Sequence, residues 1–496
     1  MPRPVIMCSY DWGALTQHSV AGRVAAQRLA RASARKQPPP MQQQEMPVQG
    51  TVSEQRVPTE STATRDSSVV ASAEEADVRH QLMLAFNSAA ELAPLAKLPI
   101  SRSNADGMQC SWQALGGAAL EPLLTFTTLI DVRWLLAFAR GEVLSQRAGV
   151  VPAWQHVPSE AEVRLEDLRG STWPDGLPVA VLSYGWSAED HPDGEGRQLQ
   201  ALIPLLAAIV ARCDALEAET GVHMSWGVLW DFLSLPQRGH TNGATVGEDR
   251  TAAQQARFHL AREHIHVWYA AEHTHTISLP SDTSAPNKTP LDRRGWVVFE
   301  RQLMSIAKAN QCCLDLSQLD EAAAASDGDS RECEWDAIRE VCTRSVKSAP
   351  LSPAAFEELL TGGLQRERLE PGSGLRLSVP SDEQVLVTLY AKGFLERICV
   401  ADVLDFGERG WDDAQLRILT AALEYAHEHG ATARLGELRL GHNSLTDDGF
   451  RALADLLSRG VMAGLKELDL DYNDASHDGR RLVKAASKSR GLACHA

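Results

Sequence analysis

The 496-residue sequence has no CxxC pair, and its nine cysteines follow no even spacing. That argues against a disulfide framework and against a zinc module. Cys312 and Cys313 are adjacent, and neighbours rarely close into a relaxed disulfide. Free thiols in a reducing, cytoplasmic compartment are the expectation. Long apolar runs are missing too. The longest, Ala201 to Ala211, has 11 residues and contains Pro204. It is too short for a membrane span and reads as a buried helix. The apolar piece at Val5 is four residues long, too short for the core of a secretory signal. Basic charge is scarce as well: 48 Lys and Arg face 65 Asp and Glu, a net charge of −17. Nucleic acid is therefore not expected as the main partner. Finally, the chain carries no GxxxxGK[ST] and no evident Ser/His/Asp or Cys/His nucleophile motif.

What is present suffices for about two to four domains. Hydrophobic residues make up 44% of the chain, enough to bury a core. Residues 1–79 read as an unfolded arm, with Pro38-Pro39-Pro40, Gln42-Gln43-Gln44 and a Ser/Thr/Glu-rich stretch. Its first part is basic, with Arg23, Arg28, Arg31, Arg35 and Lys36, which also fits an organelle transit peptide. Residues 80–170 read as a helical leader, with Leu120–Arg140 its strongest helical piece.

From 171 to 345 apolar strands alternate with helical patterns. Val179–Leu182, Gly227–Phe232, Thr276–Leu279 and Cys312–Leu316 are the strand candidates. Gln198–Cys213, Arg250–Glu272 and Trp296–Asn310 are the helices between them. This alternation predicts an α/β domain with four parallel strands in the order 2-1-3-4, its site at the strand C-terminal ends. A helical connector, 346–398, leads to a repeat in 399–496. Leu435-x-x-Leu438-x-Leu440-x-x-Asn443 recurs at Leu465, Leu468, Leu470 and Asn473, a period of 30. Asp448-Gly449 recurs as Asp478-Gly479, and a weaker copy at Ala401, Leu404 and Phe406 lacks the Asn. Leucines at this spacing fill a shared core, and the Asn satisfies backbone groups at the turn. So few units cannot stand alone, and should dock on what precedes them or act as a stub.

Four places carry a family resemblance. Leu182-Ser183-Tyr184-Gly185-Trp186 is similar to the opening strand of TIR domains and, more closely, to that of fungal HET (heterokaryon incompatibility) domains. Trp230-Asp231 followed by Leu235-Pro236-Gln237-Arg238-Gly239 is similar to their second strand and loop. Arg294-Gly295-Trp296-Val297-Val298-Phe299-Glu300 resembles the Trp-Cys-Leu-x-Glu-Leu helix of plant TIR domains, with Val297 in place of Cys. The tail resembles leucine-rich repeats of ribonuclease-inhibitor and NLR type. The resemblance implies a flavodoxin-like domain and an intracellular signalling protein that self-associates or binds protein partners. It also implies an alternative, an NAD+ glycohydrolase in which Glu300 is catalytic, with Ser183, Tyr184, Trp186, Asp231 and Trp296 around the NAD. NAD would then be substrate, and no cofactor is required. On a helix Trp296 and Glu300, at i and i+4, project from one face, and backbone amides at Arg294 and Gly295 favour an anion. The competing reading makes Glu300 a surface acid paired with Arg301 or Lys308.

Other signals have plainer readings. His191-Pro192-Asp193 is the tripeptide of J-domain cochaperones, here in the wrong setting. His264, His266, His273 and His275 lack ligand spacing, so no metal is expected. Trp226, Trp230, Trp268 and Trp296 read as core and pocket wall.

Overall fold

The computed structural model describes residues 63–92, 110–143, 149–173, 175–188, 191–239, 248–282, 284–319, 335–343 and 347–496. The expected arm up to residue 62, with its basic stretch, lies outside the described residues.

Five strands form one sheet: β1 (Ile130–Asp131), β2 (Val179–Ser183), β3 (Gly227–Leu229), β4 (His275–Ser278) and β5 (Cys313–Asp315), in the order β1-β3-β2-β4-β5. β2 lies parallel to β3 and β4, and β4 parallel to β5, so the four expected strands stand second, first, third, fourth. All five residues of β2 are buried, which is why Val179–Leu182 is an unbroken apolar run with no alternation.

Helices cover both faces of this sheet. α1 (Ala63–Leu92), α2 (Val132–Ala139), α3 (Arg197–Thr220), α4 (Ala252–Ala270), α5 (Gly295–Ala307) and α6 (Trp335–Cys342) follow in chain order. α2, α3 and α6 share a core with Ala180, Leu182 and Val228, while α4 and α5 pack together on the other side. By length and composition α3 is apolar enough to cross a membrane, yet Leu199, Leu202, Leu205 and Ile209 are buried in this core. Its start explains the His-Pro-Asp tripeptide: Asp193 accepts from the Gln198 and Leu199 N–H groups at 3.1 and 2.8 Å, a helix-capping role. Thr251 and Gln254 form a reciprocal capping box at the start of α4.

The N-terminal part departs from expectation. Leu120–Arg140 is not one helix: it holds a 3-10 stretch at Glu121–Thr125, then β1, then α2. Pro122 and the β-branched Thr127 and Thr128 interrupt the helical run, and Asp131 caps α2 by accepting from Arg133 and Trp134 N–H. β1 pairs antiparallel with β3 and adds a strand the sequence pattern did not show. α1 runs through the boundary placed at 79/80. Phe86 anchors it, stacked on Phe126 with centroids 5.4 Å apart and tilted against His264 at 5.0 Å, while Arg79 reaches Glu263 on α4 at 2.7 Å.

Beyond the sheet, α7 (Pro353–Leu369) and α8 (Asp382–Val400) lead to a second parallel sheet, β6 (Val403–Asp405), β7 (Glu437–Arg439), β8 (Glu467–Asp469) and β9 (Ala493–His495). α9 (Asp413–Glu428), α10 (Asp447–Ser458) and α11 (His477–Ser489) alternate with these strands. Leu404, Leu438 and Leu468 are in register and fully buried. Asn443 Oδ1 accepts from Arg409 and Trp411 N–H at 3.1 and 2.9 Å, and its Nδ2 donates to the Phe406 and Leu440 carbonyls. The recurring glycine also has a reason. Thr446 and Ser476 each bond the carboxylate of the preceding unit, Asp413 and Asp447. A Cβ at Gly449 or Gly479 would sit 2.4 or 2.3 Å from those same carboxylates. The repeats do dock on what precedes them: Trp411 Nε1 donates to the Lys347 carbonyl at 2.7 Å, and Ala349 N–H to Gln415 at 2.7 Å.

Asn443→Ala should strip the partner from two buried amides at once. Hydrogen exchange at Arg409 and Trp411 should speed up by roughly one to two orders of magnitude, matching about 1–3 kcal/mol. Unchanged protection there would mean that another acceptor takes over.

Candidate functional site

Parallel pairing brings the C-terminal ends of β2 and β3 to one edge of the sheet. Ser183 is the last residue of β2, with Tyr184, Gly185 and Trp186 next; Asp231 follows β3 after Trp230. α5 supplies Glu300. Ser183 Oγ donates to Glu300 Oε2 at 2.7 Å, and the Tyr184 hydroxyl donates to Asp231 Oδ1. The Trp186 ring meets Phe232, the residue after Asp231, edge-on at 5.7 Å. Asp231 in turn lies close enough to Glu300 for their charges to interact. Five of the six expected residues are therefore neighbours, although Ser183 and Glu300 stand 117 positions apart.

Trp296 is held elsewhere. Its indole N–H donates to Asp382 Oδ2 at 2.9 Å, at the start of α8, and Arg262 takes the other oxygen at 3.1 Å. The helical spacing with Glu300 is real, but a strong acceptor on the connector claims the indole. The expected anion cradle at the start of α5 is likewise spent. Gly295 N–H donates to the Arg376 carbonyl at 2.8 Å. The Arg294 guanidinium donates to the carbonyls of Trp186, Thr289 and Asn287 at 2.6, 2.9 and 3.1 Å. It thus ties the loop after β2 to the segment before α5. Gly185 is needed for this approach, since a Cβ there would lie 2.3 Å from the guanidinium.

Sequence reasoning missed Tyr269. It projects from α4, donates its hydroxyl to the Leu182 carbonyl at 2.8 Å and lies near enough to Glu300 for their charges to interact. Nothing in its surroundings, WYAAEH, marks it out. Nor is Glu300 a surface acid. It is only 9% exposed, and Lys308 is engaged with the Ala271 and Thr274 carbonyls, both at 2.7 Å.

Burial pushes the Glu300 carboxyl up to about 8; the Ser183 hydrogen bond pulls it back, while the charge of Asp231 adds to the rise. Burial also raises Asp231, against hydrogen bonds from Tyr184 and the Phe232 N–H. Burial carries the Tyr184 and Tyr269 hydroxyls well above their ordinary range. The site is thus a closed set of hydroxyls and carboxyls, one of them an acid that keeps its proton near neutrality. The four histidines have separate partners: His264 the Leu260 carbonyl, His266 Glu396, His273 Glu272 and His275 the Leu177 carbonyl. Among the described residues no group of three or more His, Cys, Asp or Glu side chains is placed to hold a metal ion. Cys213, Cys312, Cys313, Cys342, Cys399 and Cys494 are free thiols.

No protein-family model matches the chain, and no curated protein matches it in sequence.

Between 4.5, the ordinary Glu value, and about 8, the folded protein holds a proton on Glu300 that the unfolded chain releases. Stability from this group is therefore present at low pH and lost as pH rises through that window. Glu300→Gln should match wild type near pH 4.5 and exceed it by about 2–5 kcal/mol above pH 8. Denaturant unfolding across that range checks this, and parallel curves for the two proteins would contradict it.

Proposed function

We propose that the chain is a signalling and interaction protein. In this reading a flavodoxin-like, TIR/HET-like α/β domain self-associates or binds protein partners, and the leucine-rich repeats of 399–496 supply a contact surface. The observation that carries it is an exposed ring pair. Tyr472, 74% exposed, stacks on His442 with ring centroids 4.3 Å apart. Both residues, with Glu408 at the matching place in the first unit, have φ of 55–56°. That left-handed backbone is costly for residues with a Cβ, and its recurrence holds the two rings beside each other. Next to them a cleft of about 290 Å³ is lined by Asp405, Glu408, Arg439 and Asp469, with Asn310 from the α/β domain. Exposed aromatics among charged residues suit protein contact.

Crosslinking of the native full chain with its partners, read by mass spectrometry, should place partner peptides near Tyr472. The double substitution His442→Ala and Tyr472→Ala should cut their yield about tenfold or more. Unchanged yields, with a sedimentation mass that stays monomeric at every concentration, would remove both arms of the reading.

A second reading has its own observation, the meeting of Ser183, Tyr184, Asp231 and Glu300 at the edge where α/β sheets take ligands. Here the protein cleaves NAD+, and ionised Glu300 stabilises positive charge on the ribose. The C1′–N bond breaks and its electron pair leaves with neutral nicotinamide. Water then adds to C1′ and gives up a proton. Since burial holds Glu300 protonated until about 8, nicotinamide release should rise with pH toward that value. Glu300→Gln, compared at matched folded fraction, should abolish it. Equal rates, or no release from either protein after induced oligomerisation, would reject this reading.

A further inference from the structure

We propose that the free edge of β9 docks an acidic, extended segment of a partner protein, which adds there as the next strand. The inference rests on the reading of the repeats as a contact surface, and it puts a partner on a face other than that of His442 and Tyr472. Among the described residues β9 pairs with β8 alone. The Ala493 N–H donates to the Lys466 carbonyl at 2.9 Å, and the His495 carbonyl accepts from the Leu470 N–H at 2.7 Å. Backbone groups alternate in direction along a strand, so the N–H and carbonyl of Cys494, between these two, face away from β8. An edge of this kind takes up another strand unless it is guarded. The usual guards are missing here: Ala493, Cys494 and His495 include no Lys, Asp, Glu or Pro.

Charge selects the partner. α9 and α10 each carry three acids against one Arg, whereas α11 carries one acid against four Lys and Arg. Arg480 is spent on the Ala475 and Asn473 carbonyls at 3.0 and 2.7 Å, and Arg481 faces Asp478 at 3.3 Å. Lys484 and Lys488 remain, four residues apart and so on one face of α11. Both are exposed, and Lys484 Nζ reaches the Ala496 oxygen at 2.5 Å, which sets the pair beside β9. The acid ladder also stops here. Asp413 and Asp447 open α9 and α10 and receive the next unit, but His477 opens α11. This side is therefore not made for a further unit of the same kind. A peptide with acids at alternate residues pairs its backbone with Cys494 and turns its carboxylates toward Lys484 and Lys488. The rest of a chain of net charge −17 repels it on balance, so the patch fixes where it lands.

Fluorescence anisotropy of the full chain with a labelled peptide alternating Glu and Val tests the assignment, a Lys/Val peptide of equal length being the control. The Glu/Val peptide should bind and the control should not. The double substitution Lys484→Glu and Lys488→Glu, on exposed side chains, should weaken binding about tenfold or more, and added salt should weaken it in wild type. Bound peptide should slow hydrogen exchange at the Cys494 amide of wild type by about tenfold or more. Cys494→Pro removes the donor that faces the peptide and spares the pairing with β8, so it should also weaken binding. If that variant folds poorly, exchange in wild type decides the matter. Binding that ignores the charge reversal, or that leaves Cys494 unprotected, overturns the proposal. So does equal binding of a DNA oligonucleotide or of phosphatidylserine vesicles without protection at Cys494, which marks plain ion attraction. No binding of the Glu/Val peptide, while partner peptides still crosslink near Tyr472, removes this edge and leaves the interaction reading in place.

Discussion

The burial of β2 along its whole length governs what the α/β domain can do. A strand covered on both faces must be apolar, yet its last residue is Ser183, whose hydroxyl is shut away from water. A buried hydroxyl without a partner costs about 1–3 kcal/mol, so the chain has to supply an acceptor. It supplies Glu300 from α5, and that choice moves the cost to a carboxyl that now shares the same dry edge. The edge then closes on itself: Tyr269 ties α4 to the Leu182 carbonyl, and Tyr184 ties the end of β2 to Asp231. Arg294 completes the arrangement by pinning three carbonyls. Burial lowers its basicity, and no carboxylate offsets that. One buried acid, Glu300, one half-buried acid, Asp231, and a half-buried cation thus border one loop without forming an ion pair.

The repeats solve the same problem of buried polar groups by periodicity. Asp413 and Asp447 each serve the hydroxyl and the amide of the next unit. Asn443 accepts from two amides, Asn473 accepts from the Leu445 amide, and both donate to carbonyls across the turn. The glycine after Asp448 or Asp478 is there because of the carboxylate one unit earlier, not because of its own backbone angle. At β6 the ladder has no Asn. Arg409 occupies that place, buried at 5% exposure, and burial lowers its guanidinium to about 10. The first unit is thus irregular where it meets the α/β domain.

Much of this was legible in the sequence, and the reasons differ by region. Val179–Leu182 and the repeat leucines could be read because burial on both faces, and a strict period, leave a mark on neighbouring residues. Ser183, Tyr184, Asp231 and Glu300 were legible as a group through a family resemblance joined to strand order. Tyr269 was not, because a single hydroxyl on an otherwise ordinary helix carries no pattern. Leu120–Arg140 misled because its apolar spacing suits a helix, while Pro122, two threonines and the cap at Asp131 decide the outcome locally. Trp296 misled differently. Its spacing from Glu300 is helical as expected, but its partner Asp382 lies 86 positions further along the chain. No local motif links the two, and only tertiary packing brings them together.

That packing also gives the two halves of the chain a shared element. α5 carries Glu300 toward the sheet edge and Trp296 toward α8, on one helix. Asp382 receives both Trp296 and Arg262, so the start of α8 is fixed to α5 and α4 together. α8 then leads into β6, the first strand of the repeats, and Phe394 on it meets Tyr425 of α9 at 6.1 Å. α8 is thus one of the places, with the Trp411–Lys347 and Ala349–Gln415 bonds, where the repeats meet the elements around the sheet. Contiguity of this kind is a physical connection and not yet a coupling energy. The two helices approach closely, since a Cβ at Gly393 of α8 would lie 2.9 Å from the Leu303 side chain of α5. Close apolar contact resists separation but not sliding along the helix axis. The Trp296–Asp382 bond supplies what that contact lacks: a donor and an acceptor that meet in one register only.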